Sequence, residues 1–318
     1  MKKRFLGKSG IEVSELSFGT VSLGVPYGIG ISGKNEMISE TDAIDLLRSA
    51  LDQGINFFDT ARGYGCSEER IGKAFKGRRD DAVICTKCTN LYKDKKCLPA
   101  DNRLETIIET SIQESLSALQ TDYVDVYMVH NADLNILNNQ TIMEIFSEYR
   151  KKGIARAIGV STYSVEETRT AIESGVWDVV QLAYNLMDQR HSELFSLAEQ
   201  NGVGIVVRSV LFKGILTDRG RNLHPALKLV EQHRASYSEL FNEKITTLSD
   251  LATKFVLSQK EVSSVLVGID KHEYLEHALS VADGTYLDEK TLKAARNLAY
   301  PDPNSLDLPM WEKNGWLT

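Results

Sequence analysis

Short apolar runs alternate eight times with longer helical patterns along the chain. The apolar or β-branched runs lie at Leu16–Gly19, Asn56–Asp59, Ala82–Lys87, Val124–His130, Ala155–Val160, Val179–Leu182, Gly204–Val207 and Ser264–Val267. The helical patterns lie near 40–53, 67–76, 102–119, 141–152, 165–174, 192–201, 246–259 and 271–282. Strands that alternate with helices pair in parallel, and eight of them can close a barrel. The sequence therefore predicts an α/β fold, the (β/α)8 TIM barrel, with an open doubly wound sheet as the main alternative.

Three segments lie outside the eightfold alternation. "KRFLGKSGIEVSE" carries two short alternating runs around Lys8-Ser9-Gly10, which predicts an N-terminal β-hairpin over residues 2–14. Extra helices are predicted near 225–241 and 288–298. Because no linker-like stretch divides the chain, we expect residues 1–318 to form a single barrel domain.

Composition bears on partners and on compartment. A net charge of −7 and a pI near 5.5 leave no basic face for a phosphate backbone, so we expect no nucleic-acid partner. The basic start is followed by an apolar run too short for a signal peptide, and no run approaches the roughly 18 residues of a membrane span. We therefore expect a cytoplasmic protein without a membrane partner.

Four cysteines, Cys66, Cys85, Cys88 and Cys97, raise the question of a zinc or redox site, because two of them form a Cys-x-x-Cys. The surrounding "AVICTKC" is typical of a strand, in which residues three apart point to opposite faces. We therefore expect free thiols and no metal.

Ionisable side chains stand where three successive predicted strands end. Asp59 ends the second strand, with Tyr64 in its loop, Lys87 ends the third and His130 ends the fourth. Each alone could be structural, Asp59 as a loop cap and His130 as a satisfied core histidine. Together they predict an active site, because chemistry in such barrels lies at the carboxyl ends of the strands.

The chemistry of these four residues is coherent. A tyrosine titrates near pH ~10 in water, and a nearby ammonium favours its phenolate. We expect Lys87 to lower the pKa of Tyr64, Asp59 to hold Lys87, and His130 to orient a substrate oxygen. Such a set suits protonation of an oxygen on which negative charge develops, as in carbonyl reduction.

The chain resembles the aldo-keto reductase superfamily along nearly its whole length. The segments that carry the resemblance are "GINFFDTARGYGCSEERIGKAF", "ICTK", "YVDVYMVHNAD", "AIGVSTYS" and "VVQLAYNLMDQ". The resemblance implies that Asp59, Tyr64, Lys87 and His130 form a catalytic tetrad with Tyr64 as the general acid/base. It further implies reversible reduction of an aldehyde or ketone by a nicotinamide cofactor.

The resemblance also implies which residues contact this cofactor. They are Ser161, Thr162 and Gln181 at the carboxamide, Arg208 at the nicotinamide ring, Ser209, Leu211 and Gly214 along the pyrophosphate, and Gly268, Asp270 and Lys271 near the adenosine. Thr162 stands where asparagine is usual, and Arg208 where an aromatic ring is common. Tyr274 fills one position where arginine is usual, so this segment does not itself favour NADP(H). NADP(H) is expected over NAD(H) because members of the family generally prefer it.

The predicted substrate pocket contains Tyr27 from the first loop and Trp311 and Trp316 from the C-terminal tail. Pro301, Pro303 and Pro309 predict an irregular, extended path for this tail. The polar loops suggest a sugar-like or otherwise polar carbonyl substrate.

Two features of the sequence are compatible with other functions. "GIGISGKN", Gly28 to Asn35, satisfies a glycine-rich phosphate-loop pattern, but Asn35 replaces the Ser/Thr that would hold Mg²⁺ and no helix follows at once. Some proteins that resemble aldo-keto reductases act as nucleotide-sensing regulatory subunits, and the intact tetrad favours an enzyme over that role.

Overall fold

Eight parallel strands close into a barrel in the computed structural model, which describes residues 1–30, 37–92 and 97–317. After the hairpin strands β1 (Lys3–Phe5) and β2 (Glu12–Ser14), the barrel strands are β3 (Leu16–Gly19), β4 (Phe57–Asp59), β5 (Val83–Lys87), β6 (Val124–Val129), β7 (Ala155–Ser161), β8 (Val179–Ala183), β9 (Gly204–Arg208) and β10 (Val262–Gly268). Neighbours in sequence are neighbours in the sheet, and β10 returns to β3. The predicted (β/α)8 barrel is confirmed, and the open sheet was the wrong alternative.

Helices follow the barrel strands on the outside. They are α1 (Val21–Gly24), α2 (Glu40–Asp52), α3 (Ser67–Ala74), α4 (Asp101–Leu119), α5 (Leu134–Leu137), α6 (Gln140–Lys151), α7 (Val165–Glu173), α8 (Phe195–Asn201), α9 (Lys228–Ser236), α10 (Leu248–Leu257), α11 (His272–Val281), α12 (Glu289–Asn297) and α13 (Leu308–Lys313). Several begin at the residues that the sequence marks, for example α7, where Ser164 and Glu167 form a capping box.

The N-terminal hairpin, which is predicted over residues 2–14, closes the bottom of the barrel. Leu6, Ile11 and Val13 pack with the apolar residues of the barrel interior. Arg4 fixes the hairpin from outside by donating hydrogen bonds to the carbonyls at the end of α10 and the start of β10, among them Val262 O at 2.7 Å. The opposite end, where the strands have their carboxyl termini, is left for the loops.

The two-residue period of the strands decides which side chains reach this open end. Phe57, Cys85, Met128 and Val179 belong to the interior core, whereas Phe58 packs outside on Phe75, the residue that follows α3. Successive inward-facing side chains of a strand are two residues apart, and at this end of the barrel the last of them are polar or ionisable. These side chains are Asp59, Lys87, His130, Ser161, Gln181 and Arg208.

The same alternation separates the cysteines. Cys85 lies in the barrel interior, Cys88 lies in the outer core, and all four cysteines are free. Burial raises the pKa of the Cys88 thiol to about 11.

The C-terminal tail differs from the prediction of an extended path. Residues Leu308–Lys313 form the short helix α13, and Pro309 lies in its first turn. Proline is tolerated there because the first amides of a helix have no acceptor within the helix. Pro309 therefore marks the start of α13, and an extended path is wrong for residues Leu308–Lys313.

Within the described ranges, no helix is both long enough and apolar enough to cross a membrane.

Candidate active site

A buried ion pair lies at the centre of the barrel mouth. The Lys87 ammonium lies 2.8 and 2.7 Å from the two carboxylate oxygens of Asp59, and it also donates to Thr60 O at 2.8 Å. Burial acts to lower the pKa of Lys87, but Asp59 and the other neighbouring groups outweigh burial and raise it. Lys87 therefore carries its charge at neutral pH.

Tyr64 stands above this pair, held by two successive turns. Its amide donates to Ala61 O at 2.9 Å, and its carbonyl accepts from Ser67 N at 3.1 Å. A Cβ on Gly24 would collide with that carbonyl, and Gly65 has a φ of +56° and backs onto Gly24. These close approaches require glycine at both positions and fix where the Tyr64 backbone lies.

The Tyr64 ring faces both of its expected partners. The Lys87 ammonium lies 5.0 Å from the ring centroid, and the His130 ring meets it edge-on at 5.4 Å between centroids. All four predicted tetrad residues are therefore brought together on one side of the mouth.

The pKa of the Tyr64 phenol lies above its ordinary value, contrary to the expectation that Lys87 lowers it overall. Burial is the largest cause, and the Asp59 carboxylate adds to it, while Lys87 and Arg208 act in the opposite direction. A phenol in this environment stays protonated at neutral pH. It is therefore set up to give a proton to an oxygen rather than to take one.

His130 is neutral in the same pH range. Burial, followed by the positive charges of Lys87 and Arg208, lowers its pKa to about 3. A neutral imidazole has one N–H to donate, which fits the predicted role of orienting a substrate oxygen.

The three residues predicted at the carboxamide lie near one another but differ in their contacts. Ser161 ends β7 and is buried. The Thr162 hydroxyl lies 2.7 Å from that of Thr168, so it is tied to α7. Gln181 of β8 donates to Asp59 Oδ1 at 2.8 Å, a contact that the sequence does not predict.

Arg208 ends β9 and faces the same mouth. Its guanidinium donates to Thr162 O at 2.9 Å and lies 4.4 Å from the centroid of the Tyr163 ring. No carboxylate in the described parts of the chain lies within ion-pair distance of it. A flat, charged group is therefore presented where the resemblance expects the nicotinamide.

The loop that follows β9 has an unusual backbone. Ser209, Phe212 and Lys213 have φ values of 60°, 46° and 57°, in the left-handed region that non-glycine residues rarely adopt, and Gly214 has a φ of 107°. Such local strain persists only where the surroundings hold it, and it concentrates at ligand sites. The loop predicted to follow the pyrophosphate thus has a fixed, specialised shape.

A basic residue that is not predicted from the sequence lies beside the residues expected to contact the adenosine. Arg219, from the segment after β9, donates to the Tyr274 hydroxyl at 3.1 Å. Lys271, the residue before α11, has its ammonium 5.5 Å from the centroid of the same Tyr274 ring and pairs with Glu273 at 3.6 Å. Gly268 is the last residue of β10, and Asp270 lies between this strand and Lys271. Two cations therefore flank Tyr274, although only one lies in the sequence segment itself.

Tyr27 and the C-terminal tail meet over the loop after β9. Trp311 is buried and packs edge-on against Phe212 at 5.7 Å, and Glu312 pairs with Lys213 at 2.7 Å. The Lys213 ammonium also lies 5.2 Å from the Tyr27 ring centroid. The tail therefore rests on the predicted cofactor loop.

Trp316 was predicted in the substrate pocket and Leu211 in the cofactor loop. Trp316 of the tail stacks on His224, which precedes α9, with 5.9 Å between the ring centroids. Leu211 is half-buried and precedes the strained part of the loop. The glycine-rich pattern from Gly28 to Asn35 lies for the most part outside the described residues.

Metal ligands are not assembled in the described ranges, where no group of three or more His, Cys, Asp or Glu side chains is placed to hold an ion.

Comparison with known proteins agrees with this geometry. The Aldo/keto reductase family model matches residues 15–299. L-galactose dehydrogenase from Arabidopsis thaliana is 31% identical over 325 residues, which cover 95% of this chain and 95% of that protein. NADH-specific methylglyoxal reductase from Escherichia coli (strain K12) is 28% identical over 328 residues, covering 91% and 98%. Aldo-keto reductase AKR11C1 from Bacillus halodurans, in its holo form, has a TM-score of 0.78 at 27% identity, covering 95% of this chain and 99% of that one.

Proposed function

Since the chain belongs to the aldo/keto reductase family and is an NAD(P)-dependent oxidoreductase, we propose that it reduces a polar aldehyde or ketone to the alcohol with Tyr64 as the proton donor. The observation that carries the proposal is the position of Tyr64, with its ring 5.0 Å from the Lys87 ammonium and edge-on to the His130 ring. The protonated phenol, the buried cation and the neutral imidazole meet at one point of the mouth.

Reduction of a carbonyl group adds a hydride to its carbon and a proton to its oxygen. The nicotinamide supplies a hydride to the carbonyl carbon when it is bound. His130 donates a hydrogen bond to the carbonyl oxygen and orients it. As negative charge develops on that oxygen, Tyr64 transfers its phenolic proton to it, and Lys87 stabilises the phenolate that is left. Asp59 keeps Lys87 in place throughout.

A hydroxylated, sugar-like substrate is proposed because of what surrounds Tyr64. The exposed rings of Tyr27 and Tyr163 can cover the faces of a small polar molecule, and the Tyr163 hydroxyl donates to Asn131 at 3.2 Å. L-galactose dehydrogenase and methylglyoxal reductase are named for small oxygen-rich carbonyl or alcohol compounds. A polar rim and the names of the relatives thus favour the same class.

We propose NADP(H) over NAD(H) as the cofactor. Arg219 and Lys271 both lie beside Tyr274 and can meet the extra phosphate of NADP(H). One relative is named as NADH-specific, so the family alone does not decide the preference.

The exposed free thiols of Cys66 and Cys97 suit a reducing compartment, which supports the proposed cytoplasmic location.

The test is turnover by the purified protein. Sugars, short aldehydes, methylglyoxal and ketosteroids are compared by kcat/KM with NADPH and with NADH. We expect the highest values for hydroxylated aldehydes with NADPH. Tight NADPH binding without turnover of any compound would contradict the proposal and favour the nucleotide-sensing role.

A further inference from the structure

One hydrogen bond crosses the barrel interior from wall to wall. Gln181 lies on β8 and Asp59 on β4, and these strands stand opposite each other, four places apart in a closed ring of eight. Gln181 Nε2 nevertheless donates to Asp59 Oδ1 at 2.8 Å, and both side chains are buried. A contact between opposite strands means that the side chains fill the lumen at this level.

The contact completes the set of donors on Asp59. Oδ1 accepts from both Lys87 and Gln181 at 2.8 Å, and Oδ2 accepts from Lys87 at 2.7 Å. A buried carboxylate needs such donors, and their directions fix its plane. Without Gln181, the carboxylate would keep its two bonds from Lys87 but lose the donor that reaches it from the opposite wall of the barrel.

We propose that Gln181 is a positioning residue for proton transfer: its amide fixes the Asp59 carboxylate against Lys87 and so keeps the ammonium beside the Tyr64 ring. The inference rests on the proposed function, since it assigns Gln181 a part in the same reaction. It is separate from the predicted contact of Gln181 with the carboxamide, because a side-chain amide has an acceptor oxygen in addition to its two N–H donors.

The variants Gln181→Met and Gln181→Glu separate this role from simple packing. Methionine keeps the length and volume but donates nothing. Glutamate cannot donate when ionised and then repels Asp59, but it can donate its O–H to Asp59 once it is protonated. A role in packing alone gives no reason for recovery at low pH.

The measurement is the single-turnover rate of cofactor oxidation at saturating NADPH, from pH 5.5 to 8.5. Saturation removes the effect of a weakened carboxamide contact on cofactor occupancy, and the NADPH dissociation constant is measured separately by fluorescence. We expect Gln181→Met to lose about tenfold or more in rate at every pH, since a hydrogen bond to a charged group is lost. Gln181→Glu should lose more at pH 8.5 and recover toward wild type at pH 5.5.

A second readout does not depend on the glutamate variant being folded. If the proton donor is misaligned, proton transfer limits the rate more strongly, so the solvent deuterium isotope effect on the single turnover should rise in Gln181→Met. A rate loss with an unchanged isotope effect, or the same pH-independent loss in both variants, would overturn the inference. An inactive wild-type protein would instead overturn the proposed function.

Discussion

The Lys87 ammonium bonds both carboxylate oxygens of Asp59, at 2.8 and 2.7 Å, with Lys87 fully buried and Asp59 4% exposed. The pair joins two neighbouring strands, β4 and β5, at the level where the apolar interior of the barrel ends. Two charges in such a place stabilise each other against burial, and neither is tolerated well alone.

Replacing Lys87 by Met should cost both stability and activity. Removing one partner of a buried ion pair typically lowers the free energy of unfolding by about 3 to 5 kcal/mol. Because the ammonium beside Tyr64 is lost as well, kcat should fall by about a hundredfold or more. Urea denaturation and steady-state kinetics check the two effects.

The matched control is the double variant Asp59→Asn/Lys87→Met, which removes both charges. Its stability should recover a large part of the loss, whereas its activity should not. A double variant as unstable as Lys87→Met would contradict the interpretation of the pair.

The pH profile of reduction should show no inflection near the ordinary histidine pKa of about 6.5. Burial holds the pKa of His130 at about 3, and burial also raises the pKa of Tyr64 above its usual value. The active protonated phenol and neutral imidazole thus coexist across the neutral range. Alcohol oxidation, which needs a phenolate, should instead accelerate as pH rises. An inflection between pH 6 and 7 that disappears in His130→Asn would contradict these assignments.

Arg219→Met and Lys271→Met should each weaken NADPH binding while leaving NADH binding unchanged. Both side chains are exposed, so each contact with the extra phosphate should be worth about a three- to tenfold change in the dissociation constant. Fluorescence titration with both cofactors measures it, and Lys290→Met, on the exposed face of α12, serves as the control. Equal losses for NADPH and NADH would show that neither residue reads the phosphate.

Deleting residues 309–318 should raise KM and weaken cofactor binding together. The deletion removes Trp311 from Phe212 and Glu312 from Lys213, both of which lie in the strained loop after β9. Lys313→Ala, at an exposed neighbour in the same helix, should change neither constant. If the truncated protein keeps both wild-type constants, the tail takes no part in the site.

The barrel, and the grouping of the four ionisable side chains at its mouth, could be predicted from the sequence because both depend on local patterns. The two-residue period of each strand and the glycine or capping signals of each helix are legible without any long-range contact. Asp59, Lys87 and His130 could be predicted together because each is the last inward-facing side chain at the end of its strand. The single-domain organisation of residues 1–318 stays a prediction.

Contacts between distant segments could not be predicted in this way. Arg219 meets Tyr274 from 55 positions away, and Gln181 meets Asp59 from 122 positions away. The net direction of the Tyr64 pKa was also missed, because the degree of burial, which outweighs Lys87, is a property of the folded mouth. The short "VSLG" segment gave no sign that Gly24 must pass against the Tyr64 backbone.

The most direct test of the proposed chemistry is the Tyr64→Phe variant, measured by single-turnover oxidation of NADPH with the best aldehyde substrate and by NADPH fluorescence titration. Tyr123→Phe is the control. It removes a hydroxyl that donates to Asp80 and that precedes β6, at the opposite end of this strand from His130. We expect Tyr64→Phe to lose about a hundred- to ten-thousandfold in rate, because the proton donor is gone, with the NADPH dissociation constant nearly unchanged. A Tyr64→Phe protein that turns over at the wild-type rate would contradict the assignment of Tyr64 as the acid.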